Sequence, residues 1–179
     1  MTHEDEAAFD EFLAARSTAL LRTAILVCGA SAADAEDLVQ SALEKVYRVW
    51  PRIRHDNPEA YARRVVINAA ISAARRRRVL QEITFARPPE TATRGPDLDL
   101  REALIAELRR LPARMRAVVV LRYWEDLSEA ETAAALGCST GTVKSQAARG
   151  LARIRERIDP AAFPVGEVVP DGVPQTEGL

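Results

Sequence analysis

The chain has 179 residues and a formal net charge of −1, a length that suits one ordinary domain or two small ones. Its two cysteines, Cys28 and Cys138, lie far apart in sequence, and no CxxC or His/Cys cluster is present, which argues against a disulfide framework or a zinc site. The acidic N-terminus lacks a secretion-signal pattern, and the most apolar stretch, residues 24–33, is too short to span a bilayer. We therefore expect a cytoplasmic protein with no membrane contact, no cofactor and no metal.

Prolines and glycines divide the chain into four segments. Residues 1–80 and 98–158 read as helices, whereas prolines and glycines interrupt residues 81–97 without any period. Residues 159–179 are again rich in proline and glycine and are predicted to form a flexible tail. No alternating run is long enough to demand a sheet. The sequence predicts an all-α fold of two small helical domains, residues 1–80 and 98–158, joined by a flexible linker.

An amphipathic helix is predicted over residues 31–50. Ser31 is its N-cap, and acidic residues crowd its first turns, where the helix dipole favours anions. The acids alone could serve only to match that dipole. Pro51 is expected to end the helix.

A second helix is predicted over residues 57–78, with Asn57 or Pro58 near its start. It ends in four consecutive arginines, residues 75–78. These could form a solvated helix end, but adjacent cations repel one another in the absence of an anion. Binding to phosphates is the interpretation that we favour.

A helix-turn-helix is predicted within residues 128–155. Ser128 and Glu131 have the spacing of a capping box, Gly137 is a natural C-cap, and Ser139 can cap a further helix that starts near Thr140. The turn between the two helices is therefore short.

The second helix of this pair has two unlike faces. Val143, Ala147, Leu151 and Ile154 fall on one face and are expected to pack inward. The opposite face is small in its middle and is flanked by polar and cationic residues. Such a face can enter a DNA major groove, although a solvated αα-hairpin has the same pattern.

The stretch from Leu108 to Arg155 closely resembles region 4 of bacterial RNA polymerase sigma factors of the extracytoplasmic-function group, and within it the SigE-like subgroup of actinobacteria. The motifs that carry the resemblance are Leu111-Pro112, the run 121–123, Leu136-Gly137 and the run 141–145. The resemblance implies binding to the promoter −35 element and to the flap of the polymerase β subunit. The residues expected to contact the −35 element are Thr140, Thr142, Lys144, Ser145, Gln146, Arg149 and Arg153.

The first half resembles region 2 of the same family. Residues 34–50 are similar to region 2.2, which docks on the clamp coiled coil of the β′ subunit, and this implies that Asp34, Glu36, Asp37 and Gln40 contact polymerase. Residues 57–78 are similar to regions 2.3 and 2.4, which open the −10 element. The residues expected to contact the −10 element are Tyr61, Arg63, Arg64, Asn68, Ser72, Arg75, Arg76 and Arg77.

The chain departs from the common family pattern in both halves. Gln146, Ala147 and Ala148 follow Lys144-Ser145, where the family often has an arginine and a bulky apolar residue. An amide suits adenine better than guanine. Tyr61 stands where the family often has a tryptophan near the start of the segment that opens the duplex.

The resemblance implies an alternative sigma factor that binds core RNA polymerase and promoter DNA and is restrained by an anti-sigma factor. The competing hypothesis is a free-standing helix-turn-helix regulator of the LuxR type, which would bind duplex DNA without polymerase. The acidic helix over residues 31–50 speaks against it, since such a regulator does not need one. An enzyme is not expected, because no nucleophile–base pair, phosphate loop or metal set can be assembled.

Overall fold

Seven helices make up the regular structure of the residues that the computed structural model describes, which are 2–29, 31–84 and 96–158. Side chains are described for 2–29, 31–80 and 101–158. The helices are α1 (His3–Cys28), α2 (Ala32–Ile53), α3 (Pro58–Thr84), α4 (Pro96–Arg110), α5 (Ala113–Tyr123), α6 (Glu129–Leu136) and α7 (Thr140–Arg155). The described part of the chain contains no strand, which confirms the all-α prediction.

The predicted linker is helical at both of its ends. Helix α3 continues to Thr84 and α4 begins at Pro96, so residues 81–84 and 96–97 differ from the expectation. No helix breaker stands between Arg78 and Thr84, and proline is well suited to the first position of a helix. The rest of the predicted linker, residues 85–95, and the predicted tail, residues 159–179, lie outside the described residues.

Helices α1, α2 and α3 pack together in the first half of the chain. An aromatic contact closes one end of this packing, where the rings of Phe9 and Trp50 meet edge to face with centroids 5.0 Å apart. Val27, Val46 and Ile67 are fully buried and represent the three helices in the core. Gly29 ends α1 in the left-handed conformation, with φ of 63°.

Pro51 does not end α2, contrary to the prediction. The helix continues to Ile53, and the backbone N–H of Arg54 still bonds to the oxygen of Trp50 at 2.9 Å. Trp50 and Ile53 pack against the core on either side of the exposed proline, and this packing outweighs the hydrogen bond that proline cannot make. The break falls instead at Asn57, which has φ of 50° and accepts a hydrogen bond from the N–H of Ala60.

The second half is built on the crossing of α5 and α7. Val119 of α5 and Ile154 of α7 belong to one buried cluster, together with Leu108, Leu111 and Ile158. A Cβ atom built on Gly150 would lie 2.7 Å from Cγ2 of Val119. The two helices therefore approach more closely there than any side chain at position 150 would allow.

The two halves also pack on each other. Helix α5 contacts α1 and α3, and α6 contacts α3, so that Ile67 and Leu121 belong to one continuous apolar cluster. Each half alone is of a size at which the core is limited, and the shared core adds apolar burial to both. The division into two domains stays a prediction.

Within the described residues, no single helix is long and apolar enough to cross a membrane. Helices α1 and α2 taken together would meet the requirement in length and composition alone, across a bend of 119°.

Candidate nucleic-acid and polymerase interfaces

The helix-turn-helix forms as its capping residues predict. The Ser128 side chain accepts a hydrogen bond from the N–H of Glu131 at 3.2 Å, and Oε2 of Glu131 accepts one from the N–H of Ser128 at 2.8 Å. Gly137 takes up φ of 60°, and the Ser139 hydroxyl caps α7 by accepting from the N–H of Thr142 at 3.2 Å. The capping box fixes where α6 begins, and Gly137 and the Ser139 cap define the short turn between α6 and α7.

The inner and outer faces of α7 are those expected. Val143, Ala147 and Ile154 are buried, whereas most of the residues predicted to bind the −35 element are exposed. The exposed members of that set are Thr140, Lys144, Ser145, Arg149 and Arg153. Arg149 and Arg153 form no ion pair with other described residues, so their charge is available for an external anion.

The remaining polar groups of this set are partly engaged. The Thr142 hydroxyl lies 2.9 Å from that of Ser139. The Ser145 hydroxyl donates to the main-chain oxygen of Thr142 at 3.1 Å. Lys144 pairs with Glu129 of α6 at 3.5 Å, a surface contact that contributes little stability. Oε1 of Gln146 is buried and has no hydrogen-bond partner in the described part of the chain.

One face of α3 carries most of the residues predicted to bind the −10 element. At about 100° per residue, six of the eight fall within roughly 120° of the helix circumference. These six are Tyr61, Arg64, Asn68, Ser72, Arg75 and Arg76. All but the half-buried Tyr61 are exposed, and the Arg64 guanidinium lies 5.8 Å from the centre of the Tyr61 ring. The aromatic ring can stack on a base, the amide can bond to its edge, and the cations can hold its phosphate.

The other two residues of the −10 set, Arg63 and Arg77, lie on the inner side of α3. Arg63 pairs with Glu59 at 2.7 Å. Arg77 donates to the main-chain oxygen of Cys28 at 3.2 Å and pairs with Asp34 at 3.3 Å. These contacts are within the protein, so the structure does not bring these two arginines to the same face as Asn68.

Three of the four residues predicted to bind polymerase lie together on α2. Glu36, Asp37 and Gln40 are exposed and share about 100° of the helix circumference. A groove of about 550 Å³ between α1 and α2 runs beside them, lined by Glu36 and Gln40 and by apolar residues that include Leu13 and Leu43. Asp34 lies apart from the other three and faces Arg77.

A buried arginine that the sequence prediction missed joins the two halves. Arg116 of α5 is 4% exposed. Its Nε donates to the oxygen of Val27 at 2.8 Å and its Nη1 to the oxygen of Arg109 at 2.9 Å. Burial lowers the pKa of Arg116 to about 10, so that it stays protonated at neutral pH. Its signal in the sequence is a cation directly before the apolar run 117–121.

A second contact between the halves involves Thr23 of α1, whose buried hydroxyl lies within hydrogen-bonding distance of the Glu125 carboxylate and of the main-chain oxygen of Ala19.

No group of three or more His, Cys, Asp or Glu side chains that could hold a metal ion occurs among the described residues.

Each half of the chain matches the model of a known protein family. Residues 14–79 match the model of Sigma-70 region 2, and residues 101–154 match that of Sigma-70, region 4. The chain belongs to the sigma-70 family of RNA polymerase sigma factors. In this sigma factor, region 2 is carried by α1 to α3 and region 4 by α4 to α7.

Related sequences narrow the group. The chain is 39% identical to the RNA polymerase sigma-E factor of Streptomyces avermitilis over 161 residues, which cover 89% of each protein. It is 40% identical to that of Streptomyces coelicolor, over 84% of this chain and 85% of the relative. The ECF RNA polymerase sigma factor SigM of Mycobacterium tuberculosis is 32% identical, over 84% and 76%. The sigma factor is thus an alternative sigma factor of the extracytoplasmic-function group.

Solved structures agree with this assignment. The sigma factor RpoE of Bartonella quintana, solved in complex with the anti-sigma factor NepR, matches with a TM-score of 0.65 and 27% identity, over 83% of this chain and 94% of the other. CnrH, solved with the cytosolic domain of CnrY, matches with a TM-score of 0.62 and 23% identity, over 84% and 87%. The second likeness concerns the fold alone.

Proposed function

We propose that this sigma factor binds core RNA polymerase through α2, reads the promoter −35 element through α7, and reads and opens the −10 element through the outer face of α3. It acts in the cytoplasm, where the polymerase is, and catalyses no reaction of its own. It binds and positions the DNA, because its side chains select and distort the promoter while the polymerase catalyses the reaction.

The observation that carries the −35 assignment is the outer face of α7. Small residues such as Ser145 and Ala148 occupy its middle, and Arg149 and Arg153 project without partners among the described residues. A helix whose outer face has small side chains in its middle can lie deep in the major groove. The arginines can then reach phosphates or the edge of a guanine. We assign Arg149 the larger share, since it lies nearer the middle of this face than Arg153 does.

The −10 assignment rests on the outer face of α3. Asn68 is exposed between Arg64 and Arg75 along the helix, and an amide can pair with the Watson–Crick edge of a base that has left the stack. Tyr61, which is half-buried, supplies an aromatic ring on which a base can stack. Arg63 and Arg77 are assigned to the internal contacts instead.

Polymerase binding is assigned to Glu36, Asp37 and Gln40 together with the adjoining groove between α1 and α2. Exposed acids beside an apolar groove suit a partner helix that is itself amphipathic and basic. We propose that this partner is the clamp coiled coil of the β′ subunit, and that region 4 sits on the β flap. An anti-sigma factor is a further proposed partner, since the related RpoE was solved with NepR.

Run-off transcription tests this function. Purified core polymerase, with and without the protein, is given a library of promoter fragments. New start sites that depend on the protein are expected, and their sequences would define both boxes. Tight binding to duplex DNA without core, together with no new starts, would instead support a free-standing LuxR-type regulator.

The variant Asn68→Ala tests the −10 assignment in the same assay. Open-complex formation should fall, while binding to core polymerase should stay at the wild-type level, because position 68 is exposed and far round the helix from the core-facing residues. Unchanged initiation from every promoter would remove the base-reading role from Asn68.

A further inference from the structure

An apolar groove lies on the side of the molecule where α1, α4, α5 and α7 meet. It has a volume of about 550 Å³, and its lining includes Ile25, Ile105, Val120, Trp124 and Leu151. Tyr123 and Trp124 at this groove are 55% and 56% exposed. Large apolar side chains that stay open to water next to one another mark a surface that is covered by something.

The chain itself leaves α7 beside this groove. Ile154 lines the groove, and Ile158, the last described residue, packs in the same cluster as Ile154 and Leu108. An extended chain advances roughly 3.3 Å per residue, so Phe163 can reach roughly 17 Å from Ile158. Residues 159–179 therefore begin next to the apolar groove and are long enough to cross it.

The sequence of residues 159–179 complements the groove in two ways. It offers apolar side chains in the stretch Phe163-Pro-Val-Gly-Glu-Val-Val169, and it carries acids but no lysine or arginine. Arg22 and Arg101 belong to the groove lining and can pair with those acids. Prolines at 164 and 170 favour an extended backbone, and proline-rich segments are known to dock on grooves lined by aromatic rings.

We propose that residues 163–169 of the chain's own C-terminal segment occupy the apolar groove. Phe163 and Val169 are the anchors, and Glu167 lies toward the arginines. Because the segment is attached to α7, its effective concentration at the groove is high, and a weak contact is enough to hold it there. This inference concerns the free protein and does not rest on the proposed function.

Acrylamide quenching of tryptophan fluorescence tests the proposal on the full chain. The chain has two tryptophans, and Trp50 is 3% exposed, so that quenching reports on Trp124. The variant F163S/V169S should expose Trp124, because losing two buried apolar anchors lowers the ratio of docked to undocked segment by more than about tenfold. The matched variant V173S/L179S, which loses two apolar residues outside the anchor stretch, should behave like the wild type.

A change on the groove side gives a second test. Ile105→Gln places an amide in the lining and should raise quenching of Trp124 as F163S/V169S does. Equal quenching in the wild type and F163S/V169S would overturn the proposal. So would protection of Trp124 that grows with protein concentration, because it would assign the groove to a second copy of the chain.

Discussion

The guanidinium of Arg116 in region 4 completes the end of a helix in region 2, since its Nε donates to the oxygen of Val27 at 2.8 Å. The last carbonyls of a helix have no partner within the helix, and a cation is favoured beside them. Gly29 makes room for it, because a Cβ atom there would lie 3.2 Å from Nη1 of Arg116. The two regions are thus joined by a buried charge as well as by apolar packing.

Replacing this arginine should destabilise the protein. Arg116→Met leaves the oxygens of Val27 and Arg109 without their donor, and each unsatisfied buried group costs about 1–3 kcal/mol. We expect a lower free energy of unfolding in urea. Arg155→Met removes an equal charge from an exposed position and should leave the unfolding midpoint unchanged. Equal midpoints for the two variants would show that the Arg116 contacts contribute nothing.

Two neighbouring arginines on α3 should behave differently. Arg76→Ala removes an exposed cation from the face of Asn68, so that the slope of log affinity against log salt for promoter DNA should fall by about 1. Arg77→Ala should leave that slope unchanged and lower the unfolding midpoint, because it breaks the contacts with Cys28 and Asp34. The measurement is fluorescence anisotropy with holoenzyme over a salt series. The same slope change in both variants would contradict the division of α3 into two faces.

Arg149→Ala should weaken binding to the −35 element. The loss of a contact to a base edge or phosphate from the middle of α7 costs about 1–3 kcal/mol, or roughly 5- to 150-fold in affinity. Arg155 lies about 120° from Arg149 round the helix and at its last residue, so Arg155→Ala is the matched control. Holoenzyme affinity for promoters with and without the −35 box is the measurement. An equal loss on both promoters would show that Arg149 does not act on this box.

Asp37→Arg should lower the affinity for core polymerase by about tenfold, since it places a cation where we propose that a basic partner docks. Circular dichroism should be unchanged, because the side chain is exposed. Asp10→Arg on α1 makes the same charge reversal away from the groove lining and serves as the control. Full affinity of the Asp37 variant would remove α2 from the polymerase interface.

The capping box of α6 should make stability depend on pH. Hydrogen bonds from the side chain and backbone of Ser128 hold the pKa of the Glu131 carboxyl below its ordinary value of 4.5, and the charge of Arg63 acts in the same direction. The stabilisation is therefore complete above pH 4.5 and is lost as the pH falls through the lowered pKa. The stability difference between wild type and Glu131→Gln should shrink over that range in thermal unfolding scans. A difference that stays constant with pH would contradict this coupling.

The capping residues made the helix-turn-helix predictable, because Ser128, Glu131, Gly137 and Ser139 act through contacts within a few residues of chain. The exposed and buried faces of α7 followed from periodicity for the same local reason. The site assignments on these faces remain predictions.

Contacts between distant parts of the chain were not predictable in this way. Helical periodicity separates Arg76 from Arg77, but the partners of Arg77, the main-chain oxygen of Cys28 and the carboxylate of Asp34, depend on where α1 ends and α2 begins. Arg116 escaped the prediction because its partners are main-chain oxygens, which leave no mark in a sequence. The prediction for Pro51 was wrong since tertiary packing of Trp50 and Ile53 outweighed local propensity.

The close crossing at Gly150 has a consequence for which DNA this protein selects. A methyl group there would meet Val119, a stiff β-branched side chain, at 2.7 Å, and α7 would have to tilt or slide away from α5. Every side chain that we propose to contact the −35 element would still be present, but it would lie in a different position relative to the bases. We therefore expect promoter selectivity to depend on the orientation of α7 as well as on its side chains, and the close packing at Gly150 sets that orientation.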